Sequence, residues 1–116
     1  SVAIQPDGSC YHLYADDAVI YFGHGDGVGS GDNYQSTNTG VPGDVTGLKL
    51  RLTVTGTGTG RRVTAEFDAG SGWVTPAGWS NREFVGFYHD GGKAGISGFN
   101  NSQQGSVTSV TITNLP

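Results

Sequence analysis

Ten carboxylates, three histidines and one cysteine lead the side chains of this 116-residue sequence that could move a proton, hold a metal or attack a substrate. Hydrolysis by paired carboxylates needs two acids across a cleft, one of them with a raised pKa. Glu66, Asp68, Glu83 and Asp90 lie on or beside expected strands and supply candidate pairs, although ten acids in so short a chain also pair by accident. No Gly-x-Ser-x-Gly occurs, so a serine nucleophile elbow is missing. His12, His24 and His89 lack metal-ligand spacing such as His-x-x-x-His. Cys10 has His12 two residues on, which a strand would put on the same face, but no third group completes a nucleophilic site. A buried free thiol is its plainer role. As the only cysteine it forms no intramolecular disulfide, so stability must come from packing. The expectation is a chain that is not an enzyme.

The run Gly23 to Asn33 is rich in glycine, but it fits Gly-x-Gly-x-x-Gly in no register and no helix follows it. Asp26, Asp32 and Asn33 are the hard oxygen ligands that Ca²⁺ selects, and glycines let backbone carbonyls converge. The spacing matches neither an EF-hand nor a calcium nonapeptide repeat. A surface loop without a metal or other cofactor is therefore the leading reading, and Ca²⁺ the alternative.

The aromatics offer more. Trp73 and Trp79 sit in turn-rich sequence beside Gly, Ser, Pro and Asn. One role for a tryptophan in such a place is to plug the end of a β core. The other is a stacking platform: sugar rings lay their apolar C–H faces on an indole while neighbouring amides bond the hydroxyls. Tyr34, Asn33, Gln35, Asn81, Arg82, Asn100, Asn101 and Gln103 are the polar partners available. Asn100-Asn101-Ser102 also spells a glycosylation sequon, relevant in a eukaryotic secretory setting.

The elements that must position these residues are short strands. Leu48, Leu50, Leu52 and Val54 alternate with Lys49, Arg51, Thr53 and Thr55, and after Gly56-Thr57-Gly58-Thr59-Gly60 the alternation resumes with Val63, Ala65 and Phe67. That is a β-hairpin with one dry face and one wet face. Its wet face, including Lys49, Arg51, Arg62 and Thr64, reads as scaffold. Further strands are expected at Val2–Gln5, Cys10–Tyr14, Ala18–Phe22, Glu83–His89, Ala94–Phe99 and Gly105–Leu115, the last with a bulge near Thr108-Ser109. Gly23 to Gly47 reads as one long loop. No amphipathic helix and no fixed-length repeat is found. The pattern predicts an all-β single domain over 1–116, an antiparallel β-sandwich or jelly roll of seven or eight short strands.

Charged residues are 14% of the chain, below the roughly 25% of an ordinary soluble domain. The formal net charge is −4, which excludes the basic stripe that nucleic-acid binding requires. No apolar run reaches the roughly 20 residues of a membrane-spanning helix, so no membrane partner is expected. The N-terminus shows no signal-peptide pattern. Ser1 in a chain without methionine fits removal of an initiator methionine, a cleaved leader or a trimmed chain.

In Gly86-Phe87-Tyr88-His89-Asp90-Gly91-Gly92-Lys93-Ala94-Gly95-Ile96-Ser97-Gly98-Phe99-Asn100-Asn101, and in the closing Gly105-Ser106-Val107-Thr108-Ser109-Val110-Thr111-Ile112-Thr113-Asn114-Leu115, the texture resembles two groups. One is the small β-sandwich domains of phage virions: head fibres, decoration proteins and tail-fibre tips. The other is carbohydrate-binding modules. The resemblance implies a non-enzymatic structural or binding module on a virion surface, homotrimeric, with capsid or fibre proteins and copies of itself as partners and cell-surface polysaccharide as a contact. The alternative it implies is an extracellular carbohydrate-binding or lectin-like domain that stacks sugars on Trp73 and Trp79.

Overall fold

The fold is that of a computed structural model, which describes residues 4–6, 9–16, 19–25, 32–36, 45–92, 94–95, 109 and 111–113. It is built of strands, with a single 3₁₀ turn at Gly58–Gly60 as its helical part among the described residues. β1 (Cys10–Asp16), β2 (Val19–Gly25) and β3 (Asp32–Ser36) form an antiparallel sheet in that order. β4 (Lys49–Thr55) and β5 (Arg62–Asp68) form a second antiparallel sheet.

The two sheets share one core. Tyr11 from β1, Ile20 and Phe22 from β2, and Val63, Ala65 and Phe67 from β5 are buried together with Trp79 and Phe84. Register explains which residues turn inward. Tyr11 faces His24, Leu13 faces Phe22 and Ala15 faces Ile20 across the first ladder. Leu50 faces Phe67, Leu52 faces Ala65 and Val54 faces Val63 across the second. Opposed residues share a face, so each ladder gives the core one apolar row.

β5 alternates cleanly between buried and half-buried positions, whereas β4 keeps Leu52 and Val54 only half-buried and leaves Leu50 exposed. The cause is position in the sheet. β5 is flanked on its second side by the segment 74–82, through the bridges Phe67–Val74 and Val63–Arg82 and an Ala65 N–H bond to the Trp79 carbonyl at 3.0 Å. Four residues lie between Val74 and Trp79, while only one lies between Ala65 and Phe67. The surplus is taken up by a turn in which the Trp79 N–H reaches the Pro76 carbonyl at 3.0 Å. At the hairpin tip, Gly56 has φ +75° and packs against the Gly60 carbonyl, a place where a Cβ has no room.

Five strands stand among the described residues, against the seven or eight that the pattern predicts. The Gly23–Gly47 loop is corrected: Gly23 to Gly25 complete β2, and Asp32 to Ser36 add a strand that pairs with it across a register shift. Residues 26–31 and 37–44 lie outside the described residues. Glu83–His89 is a turn rather than a strand. Gly86 takes φ +86° and the Phe87 N–H closes onto the Phe84 carbonyl at 2.9 Å, which buries Phe84 and leaves Val85 70% exposed. In the expected last strand, Ser109 and Thr111 to Thr113 are irregular and exposed, and the rest lies outside the described residues with Thr108. Ile4 makes only an isolated bridge, and Ala94 and Gly95 are irregular.

Candidate binding surface at Trp73

The wet face of the β4–β5 hairpin carries opposite charges at paired positions. Lys49 faces Asp68 and Arg51 faces Glu66, with Thr53 facing Thr64 between them and the tip. Arg51 Nε donates to Glu66 Oε2 at 2.6 Å, and Thr75 Oγ1 donates to Glu66 Oε1 at 3.2 Å. The chain reaches this face through a turn built on Asp68, whose Oδ1 accepts the N–H groups of Gly70 (2.7 Å) and Gly72 (3.1 Å). That turn returns the backbone so that Val74 pairs with Phe67. Strand alternation then sends Trp73 and Thr75 to the wet side. There the Arg51 guanidinium lies over the Trp73 ring, 4.1 Å from its centroid. The indole keeps 42% of its surface exposed, with Val74 exposed beside it.

The ionisation of this surface is one-sided. The hydrogen bond from Arg51 holds the Glu66 carboxyl below its ordinary range, with a smaller contribution from Thr75, and the same bond raises Arg51. The Gly70 N–H lowers Asp68, assisted by Gly72. A general acid needs a carboxyl pushed up, and these are pushed down. The surface is equipped to bind through charge, hydrogen bonds and an aromatic plane.

Trp79 has the other fate. It is 2% exposed, with its ring centroid 5.3 Å from that of Phe22, and it plugs the core. Asn81 is exposed, holds φ +49° and donates its backbone N–H to Thr64 Oγ1 at 2.9 Å, which sets it on the margin of the same wet face as Trp73. Arg82 is half-buried, donates to the Gly78 carbonyl at 3.2 Å and lies 6.0 Å from the Phe84 ring centroid. Asn33 and Tyr34 belong to β3, where Asn33 faces His24. Asn100 and Asn101 lie outside the described residues. So does Asp26, while Asp32 faces Gly25 in the β2–β3 ladder. Among the described residues, no group of three or more His, Cys, Asp or Glu is gathered as for a metal ion.

Two further clusters lie at β1, in the other sheet. Cys10 Sγ lies 3.4 Å from His12 Nε2, and the thiol is buried. Tyr11, whose hydroxyl donates to the Phe87 carbonyl at 2.6 Å and accepts the His89 N–H at 3.0 Å, packs with Phe84 and His89; His24 stacks on Phe87. Burial raises the Tyr11 phenol. This cluster ties the turn after Phe84 to β1 and β2.

The sequence offered Glu66 only as one acid of a catalytic pair and Arg51 only as scaffold, and Thr75 drew no notice. The available signal was the charge pairing itself: once the glycine tip sets Thr55 against Arg62, Arg51 must meet Glu66 and Lys49 must meet Asp68. Compared with known proteins, the chain matches no family, no curated protein and no solved structure.

Proposed function

We propose that this chain is a non-enzymatic, surface-exposed binding module that engages a glycan through Trp73. The observation that carries the reading is the contrast between the two tryptophans: Trp79 is spent on the core, whereas Trp73 is held 42% open on a polar face. An indole fixed by a stacked guanidinium loses little freedom when a sugar ring settles on it, and ordering the contact surface is a principal cost of binding. Asn81, Thr64 and Lys49 border the same face and suit hydroxyl groups. Two antiparallel sheets around one core agree with a β-sandwich as the full architecture. Low charge and the absence of a disulfide favour a virion surface as its setting, with capsid or fibre proteins and copies of itself as neighbours. A secreted carbohydrate-binding module is the alternative setting for the same platform.

The test is a panel of soluble polysaccharides titrated against intrinsic tryptophan fluorescence, with Trp73→Ala as the paired variant. The reading predicts saturable quenching or a spectral shift with at least one glycan, lost in a Trp73→Ala protein that still melts cooperatively. Flat titrations across neutral and acidic glycans alike would overturn it.

A further inference from the structure

Resting on the glycan reading above, we infer that the sugar carries a carboxylate and that the free edge of the Arg51 guanidinium reads it. The argument is an inventory of donors and acceptors around Trp73. Three of the four carboxylate oxygens of this face are engaged within the protein. Glu66 uses one oxygen on Arg51 Nε and the other on Thr75, and its side chain is 17% exposed. Asp68 spends Oδ1 on two backbone N–H groups of its own turn. The cations point outward. The Arg51 side chain is 46% exposed, and both its Nη groups are without a hydrogen-bond partner among the described residues. The Lys49 ammonium, which acts on Asp68 through its charge, and the Trp73 indole N–H form no hydrogen bond among the described residues. The formal charges of Lys49, Arg51, Glu66 and Asp68 cancel, yet the charged groups this face leaves open to a ligand are chiefly its cationic N–H donors, with Asp68 Oδ2 the one of its carboxylate oxygens without a hydrogen bond among the described residues.

Those donors are arranged before any ligand arrives. Its Nε bond to Glu66 and its stacking over Trp73 fix the guanidinium at two points, so the Nη edge is presented as a rigid planar fork. A planar carboxylate matches such a fork with two parallel, charge-assisted hydrogen bonds, and a single hydroxyl does not. A uronic acid combines the two features required here: an apolar ring face for the indole and a carboxylate at the ring edge for the guanidinium. The negative charge of the chain as a whole makes long-range attraction weak, so recognition falls on this contact and the affinity depends on salt only modestly.

The experiment is calorimetry at low salt with three probes: a galacturonate oligomer, the same oligomer as its methyl ester, and a sulfated galactan oligomer of equal length. Methyl esterification removes the charge and keeps the ring, so the wild-type comparison needs no mutation. The expected result is binding of the acid at least tenfold tighter than the ester. Arg51→Gln should bring acid and ester to the same affinity, and Arg51→Lys should restore only part of the preference because an ammonium lacks the fork. Equal affinity for acid and ester, or an Arg51→Gln protein that keeps the preference, would overturn the carboxylate assignment and leave the glycan platform standing. A sulfated oligomer that binds more tightly than the uronate would overturn the carboxylate in favour of sulfate. Absence of binding by all three probes would overturn this inference, and the panel titration then decides the fate of the platform separately.

Discussion

Replacing each tryptophan with alanine separates a core plug from a surface platform by the size of the stability loss. A tryptophan buries up to about 250 Å², and at about 25 cal/mol per Å² a side chain as enclosed as Trp79, 2% exposed, accounts for up to about 6 kcal/mol. Extended-chain references overstate such burial by roughly a quarter, and alanine retains its methyl, so the expected loss for Trp79→Ala is about 4 kcal/mol, inside the range for large aromatic truncations. Trp73 is 42% exposed, and the same arithmetic gives about 2 kcal/mol, including a share for its contact with Arg51. A domain of this size has about 5–15 kcal/mol to lose, so Trp79→Ala should remove about a quarter or more of its stability and Trp73→Ala should leave a well-folded protein. The assay is urea unfolding at equilibrium followed by far-ultraviolet circular dichroism, with the slope checked for constancy. Equal losses for the two variants, or a larger loss at Trp73, would refute the assignment of Trp79 to the core.

The acid limb of stability should track the lowered carboxyls. Glu66, Asp68 and Asp90 all titrate below their ordinary values in the folded chain, Glu66 chiefly through Arg51, Asp68 through the Gly70 N–H and Asp90 through Arg61. A depressed folded pKa contributes stability that is complete above the unfolded value, about pH 4, and is lost as the pH falls through the folded value. The melting temperature should therefore hold near neutrality and drop in acid, with a shallower drop in Glu66→Gln; a melting temperature that rises on acidification would contradict the pairing. Gly56→Ala should cost above about 2 kcal/mol because its Cβ meets the Gly60 carbonyl, whereas Gly58→Ala, at φ +51° in open space, should cost about 1 kcal/mol; chemical denaturation of both checks the order. Tyr11→Phe removes a hydroxyl that joins the Phe87 carbonyl to the His89 N–H and should cost about 1–3 kcal/mol. An unchanged unfolding midpoint would show that this hydroxyl does not tie the turn to β1.

The hairpin was legible in the sequence because its signal is local: alternating residues on either side of a glycine tip fix strand, face and register at once. The strand β3 was not, because Asp-Asn-Tyr-Gln-Ser carries no apolar alternation and owes its pairing to the edge of β2. Glu83 to His89 misled for the opposite reason. Its residues Phe84, Val85, Phe87 and Tyr88 read as a strand of mixed pattern covered on both faces, but Gly86 at φ +86° turns the backbone, so Phe84 and Phe87 come from a turn to the core. The two tryptophans were indistinguishable by composition. What divides them is a parity set by pairing: Val74 bonds to Phe67 and leaves Trp73 on the wet side, and the Pro76 turn then shifts the chain so that Trp79 enters the core beside Ala65. The face regarded as scaffold became the candidate site only when that parity put Trp73 over Arg51.

The most direct test of the central claim uses the two indole N–H groups as separate reporters. In a ¹⁵N-labelled sample they give two resolvable side-chain signals, assigned by Trp73→Phe and Trp79→Phe variants. Titration with a glycan that binds should shift or broaden the Trp73 indole signal progressively and leave the Trp79 signal in place. A binding glycan that leaves the Trp73 signal unmoved would contradict the platform.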